Sequence, residues 1–258
     1  LLKTQLRMCK LVYFIFGLGL FLLSNTAFSD LPQVIEKIKP SIVGIGTFQK
    51  MRSPPINFLG TGFVVGDGSL IITNAHVIPE LLDVSKNESL VILTGKSNNP
   101  EAKLAQVTKL DKEHDLALLK ITGLSLSPLK IGNVEKIKEG QVLAFTGFPI
   151  GMILGFYPVT HRAMIASITP IILPVTNAKQ LSAEKIKQFN KTAFHVFQLD
   201  GTAYPGSSGS PLYDPDSGEV YGVVNMVFVK GRKESALSNP SGISYAIPAN
   251  FILELLKH

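Results

Sequence analysis

The run Asp200-Gly-Thr-Ala-Tyr-Pro-Gly-Ser-Ser-Gly-Ser-Pro-Leu212 sets serines among glycines, in what is otherwise tight-turn chemistry. Two further polar sites precede it, Thr73-Asn-Ala-His76 and His114-Asp115. A serine hydroxyl is a weak nucleophile that becomes useful when a base takes its proton and a third group fixes the tautomer of that base. Attack on a carbonyl also needs backbone N–H donors aimed at the oxyanion that develops. The segment Gly206-Ser-Ser-Gly209 can supply nucleophile and donors together, because a glycine at 206 lets the backbone turn its N–H inward with no Cβ in the way. The N–H groups of Gly206 and Ser208 are then the candidate oxyanion hole. His, Asp and Ser occur in that order along the chain.

Groups of this kind need a rigid frame, and the pattern around them is one of short β runs separated by Gly and Pro turns. Ser41–Phe48, Gly62–Val65, Leu70–Thr73, Leu90–Leu93, Lys103–Thr108 and Leu116–Ile121 form a first set. Gly66-Asp67-Gly68 between two of these runs signals a hairpin. Val142–Thr146, Val159–Ser167, Phe194–Leu199, Pro211–Tyr213, Val220–Val229 and Ile243–Ile247 form a second set, with a turn at Pro215–Gly218. The looser stretch Thr122–Gly140 divides them, which makes residues 126–140 the expected linker between an all-β half at 30–125 and another at 141–258. Pro32–Lys39 reads as a short helix and Asn250–Lys257 as a closing one, with Phe251, Ile252 and Leu255 on one face. Ser182–Lys191 is helix-like and bears lysines, as an inserted surface loop would.

The residues carry a resemblance. Thr61–Val77 resembles the catalytic-His region of trypsin-like serine proteases, above all those of the bacterial HtrA (Deg) type, and Asp115-Leu-Ala-Leu-Leu-Lys120 resembles their catalytic-Asp strand. Phe145–Pro149 is similar to the start of their second barrel, Gln198–Leu212 to the catalytic-Ser motif, and Gly242–Asn250 to the strand and turn before the last helix. Five motifs in one order cover nearly all of residues 31–258. The resemblance implies a chymotrypsin-like fold of two packed antiparallel six-stranded β-barrels, with the first carrying His76 and Asp115 and the second Ser208. It makes Ser208 the nucleophile, His76 the general base and acid, and Asp115 the orienting carboxylate of an exported serine endopeptidase with polypeptide substrates. Two positions depart from the pattern. Ser207 stands where digestive trypsins have an Asp that pairs with a new N-terminal amine, and Ser210 stands where many relatives have Gly. No PDZ domain is expected after the closing helix. The order His, Asp, Ser also differs from the subtilisin and α/β-hydrolase orders.

Composition narrows the remaining classes. The chain has 258 residues, 45% hydrophobic and 17% charged, enough to bury a large core. Lys3, Arg7 and Lys10, a run of apolar residues from Leu11 to Leu23, and the small residues of Ala27-Phe-Ser29 before Asp30 read as an export signal over residues 1–29, or as an uncleaved N-terminal anchor. Membrane contact is expected only through that anchor. Three of the 25 basic residues lie there, which leaves 22 against 19 acidic ones and no basic run suited to nucleic acid. The lone Cys9 also falls in the leader, so no thiol chemistry follows it. No His, Asp or Glu spacing suggests zinc or a calcium loop, and the chemistry above needs no cofactor or metal.

A substrate pocket walled by Gly201–Tyr204 and Asn225–Phe228 contains Thr202, Tyr204, Met226, Val227 and Phe228 and no acidic base, which suits an aliphatic side chain better than Arg or Lys. His114, adjacent to Asp115 in a strand register, is expected to point away from the site. A protein of this fold that binds polypeptides without cutting them is the alternative reading.

Overall fold

The computed structural model describes residues 31–95, 100–151, 153, 155–170, 194–225 and 243–257. The expected export leader, the expected insertion at Ser182–Lys191 and the expected pocket residues Met226, Val227 and Phe228 lie outside them. The described residues form two closed antiparallel barrels of six strands each, flanked by helices α1 (Leu31–Ile38) and α2 (Asn250–Lys257). This is the architecture expected from the strand pattern and the resemblance.

The first barrel comprises β1 (Ile42–Phe48), β2 (Ile56–Val65), β3 (Leu70–Thr73), β4 (Ser89–Thr94), β5 (Glu101–Asp111) and β6 (Leu116–Ile121), in the order β1-β2-β3-β6-β5-β4. The second comprises β7 (Val142–Gly147), β8 (Val159–Pro170), β9 (His195–Leu199), β10 (Pro211–Tyr213), β11 (Val220–Asn225) and β12 (Ser244–Pro248), in the order β10-β11-β12-β9-β8-β7. The β2–β3 hairpin turns where Gly66-Asp-Gly68 predicts it, with Asp67 Oδ1 accepting from the Ser69 N–H and hydroxyl.

Several strands run longer than their sequence pattern. β5 continues to Asp111 because a bulge between Val107 and Lys109 inserts Thr108 and shifts the alternation by one residue. β2 begins six residues before Gly62. Its register slips between Ile45 and Gly46 of β1, and Gly60 and Gly62 interrupt the apolar alternation there.

Alternation divides the strand residues among three cores. Val43, Ile45, Val64, Ile71, Ile92 and Leu119 belong to the first barrel's own cluster. Leu143, Phe145, Ile165, Phe197, Leu212 and Val224 belong to the second's. The neighbouring positions Phe63, Val65, Ile72, Ala144, Tyr213, Val223 and Ile247 join the two barrels in one larger cluster, with Val34 and Ile38 of α1 and Ile252 of α2. Full burial of a side chain of this size contributes about 1.5–3 kcal/mol, so a shared core of this extent welds the barrels together.

A polar clamp ties the end of β1 to the segment that leads into β4. Glu88 accepts from the Thr47 hydroxyl and Arg52 Nη1, both at 2.6 Å, and from the Asp83 N–H at 3.1 Å. The Thr47 hydroxyl, the Asp83 N–H and the Arg52 guanidinium hold the Glu88 carboxyl below its ordinary range. A carboxyl depressed in the folded state adds stability above its unfolded pKa, and that stability is lost as pH falls through the folded value. Glu88→Gln is therefore expected to lower the thermal midpoint at neutral pH, and the gap from the parent protein should close on acidification. Thermal unfolding at several pH values checks both.

Candidate active site

The three predicted residues emerge at strand ends that face the junction of the barrels. β3 ends at Thr73 and leads through the buried Asn74 into a single 3-10 turn, Ala75–Val77, which carries His76. Asp115 sits immediately before β6, and Ser208 lies in the loop between β9 and β10.

Asp115 has φ +51°, a left-handed conformation that Asp tolerates better than most residues. The turn aims both of its oxygen-bearing groups at the His76 segment. Its carbonyl accepts from the Ala75 N–H at 3.1 Å and from Asn74 Nδ2 at 3.0 Å. Its carboxylate accepts from the His76 N–H at 2.8 Å through Oδ1 and meets His76 Nδ1 at 2.6 Å through Oδ2. Oδ2 also accepts from Asn225 Nδ2 at 2.6 Å, a contact from the last residue of β11 in the other barrel. The imidazole is thus held at Nδ1, which leaves Nε2 as its second nitrogen for chemistry.

The Ser208 backbone is set beside the residue that follows His76. Its carbonyl accepts from the Thr61 N–H at 2.9 Å. Gly60 is pressed on both sides, since a Cβ there would stand 2.8 Å from Val77 Cγ2 and 3.1 Å from the Ser208 carbonyl oxygen. The residue after His76 and the Ser208 backbone therefore flank one glycine. At Gly209, φ is +87° and a Cβ would stand 2.0 Å from the Thr61 carbonyl oxygen and 2.5 Å from Thr73 Oγ1. Gly209 is needed for close approach as well as for its turn.

The loop's hydrogen bonds sort its amides into two classes. The carbonyl of Pro205 accepts from Ile150 N–H at 2.6 Å, that of Gly206 from the Thr61 hydroxyl at 2.7 Å, and that of Ser207 from Ser210 N–H at 3.0 Å. The N–H groups of Ser207 and Gly209 donate to Tyr204 and Val224, each at 2.9 Å. Among the described residues, the N–H groups of Gly206 and Ser208 have no acceptor. Because C=O and N–H point oppositely across a trans peptide, an anchored carbonyl fixes the direction of its own peptide's N–H. Gly206 has φ +99°, and a Cβ there would come 2.3 Å from the Phe148 carbonyl oxygen.

The described part of the predicted pocket is stapled to the second barrel. Ser244 Oγ accepts from the Ala203 N–H at 2.7 Å and donates to the Gly201 carbonyl at 2.6 Å, which holds the segment bearing Thr202 and Tyr204. The half-buried His161 stacks on Phe145 at 5.1 Å and stands 6.4 Å from the Tyr204 ring, and burial lowers its pKa. His114 turns to Asp111, 2.7 Å away, and stacks on Phe251 of α2 at 3.8 Å.

Asn225, Asn74 and Thr61 were not singled out by sequence reasoning. Each is a polar residue that the fold buries completely, Thr61 and Asn225 within otherwise apolar runs and Asn74 just after one. That mismatch is the signal that could have found them.

A family model described as a trypsin-like peptidase domain matches residues 60–223. Among curated relatives, "Probable periplasmic serine endoprotease DegP-like" proteins of Marinomonas sp. (strain MWYL1) and Pseudomonas putida (strain GB-1) are 24% and 26% identical to the chain. The matches cover 97% and 98% of the chain and 54% of each relative. That of Halomonas elongata is 29% identical over 76% of the chain and 34% of its own length. The chain spans about half the length of the first two. Among solved structures, the Rv3671c protease from M. tuberculosis in its active form aligns with TM-score 0.63 and 23% identity, covering 90% of this chain and 86% of that one. An HtrA-type protease, an AlgW variant with a tripeptide, aligns with TM-score 0.60 and 20% identity, covering 88% and 62%. These likenesses concern the fold.

Proposed function

Because the chain belongs to the trypsin-like peptidase family, we propose that it is an HtrA-like serine endopeptidase whose catalytic groups are Ser208, His76 and Asp115. The observation that carries the proposal is the pair of N–H groups without acceptors, those of Gly206 and Ser208, on a loop that abuts the His76 turn bonded to Asp115.

In this reading Ser208 Oγ attacks the peptide carbonyl carbon as His76 Nε2 takes its proton. The two open N–H groups receive the oxyanion, and Asp115 holds His76 in the tautomer with hydrogen on Nδ1 and stabilises the imidazolium. Collapse of the tetrahedral intermediate breaks the C–N bond, with His76 returning the proton to the leaving amine. Water, activated by the same imidazole, then releases the acyl group and restores Ser208. Protonated His76 cannot accept the serine proton, so kcat/KM is expected to fall as the medium is acidified. A rate unchanged from neutral to acidic pH would overturn this role for His76.

Export to the periplasm, with work in protein quality control there, is the proposed setting. It draws on the leader-like residues 1–29 and on relatives named as periplasmic. Among the described residues no helix is long and apolar enough to cross a membrane. The pocket segment bearing Thr202 and Tyr204 offers no acidic base, so peptide libraries are expected to be cut after aliphatic residues. Preference for Arg or Lys would refute that assignment.

The direct test is labelling of the protein with a fluorophosphonate probe, with the adduct mapped by mass spectrometry. The expected result is one adduct, on Ser208, that disappears in His76→Ala. An adduct on another serine, or none with the fold intact, would overturn the proposal.

A further inference from the structure

Thr61 is the residue through which the first barrel grips the nucleophile loop. It lies in β2 and is completely buried. Every polar atom it has is engaged around the candidate site. Its N–H donates to the Ser208 carbonyl at 2.9 Å, and its carbonyl accepts from the Thr73 hydroxyl at 2.7 Å. Its hydroxyl donates to the Gly206 carbonyl at 2.7 Å and accepts from the Phe148 N–H at 3.0 Å.

The hydroxyl contact matters because of which peptide it holds. The Gly206–Ser207 peptide lies between the two open donors. Its N–H is bonded to the Tyr204 carbonyl and its C=O to Thr61 Oγ1, so both ends are fixed. Rotation of this plane changes ψ at Gly206 and φ at Ser207, two of the torsions that relate the Gly206 N–H to the Ser208 N–H. A glycine resists such rotation least of all residues. The restraint must therefore come from outside the loop, and Thr61 is suited to supply it. A β-branched side chain has few χ1 states, and a Cβ on Gly147 would stand 2.9 Å from Thr61 Oγ1, which marks how tightly the hydroxyl is enclosed.

We infer that Thr61 is a positioning residue for the oxyanion hole, holding the Gly206–Ser207 peptide so that the Gly206 and Ser208 N–H groups converge on one point. The inference rests on the serine-peptidase reading above. It adds that the first barrel sets the geometry of the electrophile's binding site, in addition to supplying His76 and Asp115.

Valine matches the shape of threonine but can neither donate nor accept, so Thr61→Val isolates the hydroxyl. Loss of one oxyanion donor typically costs about 10²–10³ in kcat, and misaiming the pair is expected to cost about 10². KM should change by no more than about twofold, because ground-state binding does not use these donors. A peptide boronate, which mimics the tetrahedral species, should lose affinity by the same factor as kcat/KM. Thr61→Ser keeps the hydroxyl and is expected to retain activity within about threefold of the parent. If Thr61→Val does not fold, Thr61→Ala serves in its place with the same expected loss. Parent protein that takes no fluorophosphonate label on Ser208 would sink the peptidase reading itself. Parent protein that labels, alongside a folded Thr61→Val of unchanged kcat, or a Thr61→Ser as impaired as Thr61→Val, would overturn the role of Thr61 alone.

Discussion

Peptide hydrolysis by the Ser208→Ala variant is expected to fall by about 10⁶ in kcat, the loss typical when a triad nucleophile is removed. The substitution deletes one oxygen atom. None of the bonds that shape the loop uses it, since they run through the backbone of residues 205–210 and the Thr61 hydroxyl. Stability should therefore stay within about 0.5 kcal/mol of the parent, as for other changes that touch no structural contact. The two results together are informative. Lost hydrolysis with an unchanged thermal midpoint assigns the effect to chemistry. Hydrolysis that survives in Ser208→Ala would remove Ser208 from the mechanism, and retained biological function without hydrolysis would favour the polypeptide-binding alternative. The check is a progress curve on a protein substrate, with thermal unfolding measured on the same preparation.

Asp115→Asn is the second large effect, expected at about 10⁴ in kcat with the fold retained. The carboxylate at present accepts three hydrogen bonds, from the His76 N–H, His76 Nδ1 and Asn225 Nδ2. An amide offers one acceptor oxygen and two N–H donors. If that oxygen stays on the His76 N–H, the new amide faces Nδ1 as a donor, and the imidazole must carry its proton on Nε2. A histidine in that tautomer cannot take the serine proton. The Asn225 amide then meets a second donor and loses this contact, at a stability cost of about 1–3 kcal/mol. KM should hardly move, because in the proposed mechanism Asp115 acts through His76 rather than on the substrate. An Asp115→Asn variant with kcat near the parent value would show that His76 does not depend on this carboxylate.

The fold was legible in the sequence because its signals are local. Alternating apolar residues bounded by Gly, Pro, Asn and Asp mark strands one at a time, and β3, β6 and β10 end where the pattern ends. Where the alternation is broken by the structure itself, the reading fell short. Thr108 sits in a bulge, which breaks the alternation in the middle of β5, and Gly60 interrupts it within β2.

The candidate site divides along the same line. His76, Asp115, Gly206 and Ser208 stand in motifs a few residues long. Asn225 and Thr61 do not, because their meaning lies in partners 110 and 145 positions away, Asp115 and Gly206. Only closure of both barrels creates those contacts. Met226, Val227 and Phe228 fall outside the described residues, so the pocket rests on Thr202 and Tyr204.

The bonds across the barrel junction also set an order of events for a chain made from its N-terminus. His76 and Asp115 lie within residues 31–121, whereas the serine loop arrives more than eighty residues after that stretch and Asn225 more than a hundred. A chain made only as far as its first barrel lacks both the serine loop and the Asn225 contact to Asp115. The proposed site is thus divided along the polypeptide, and it is complete only once the second half has been made.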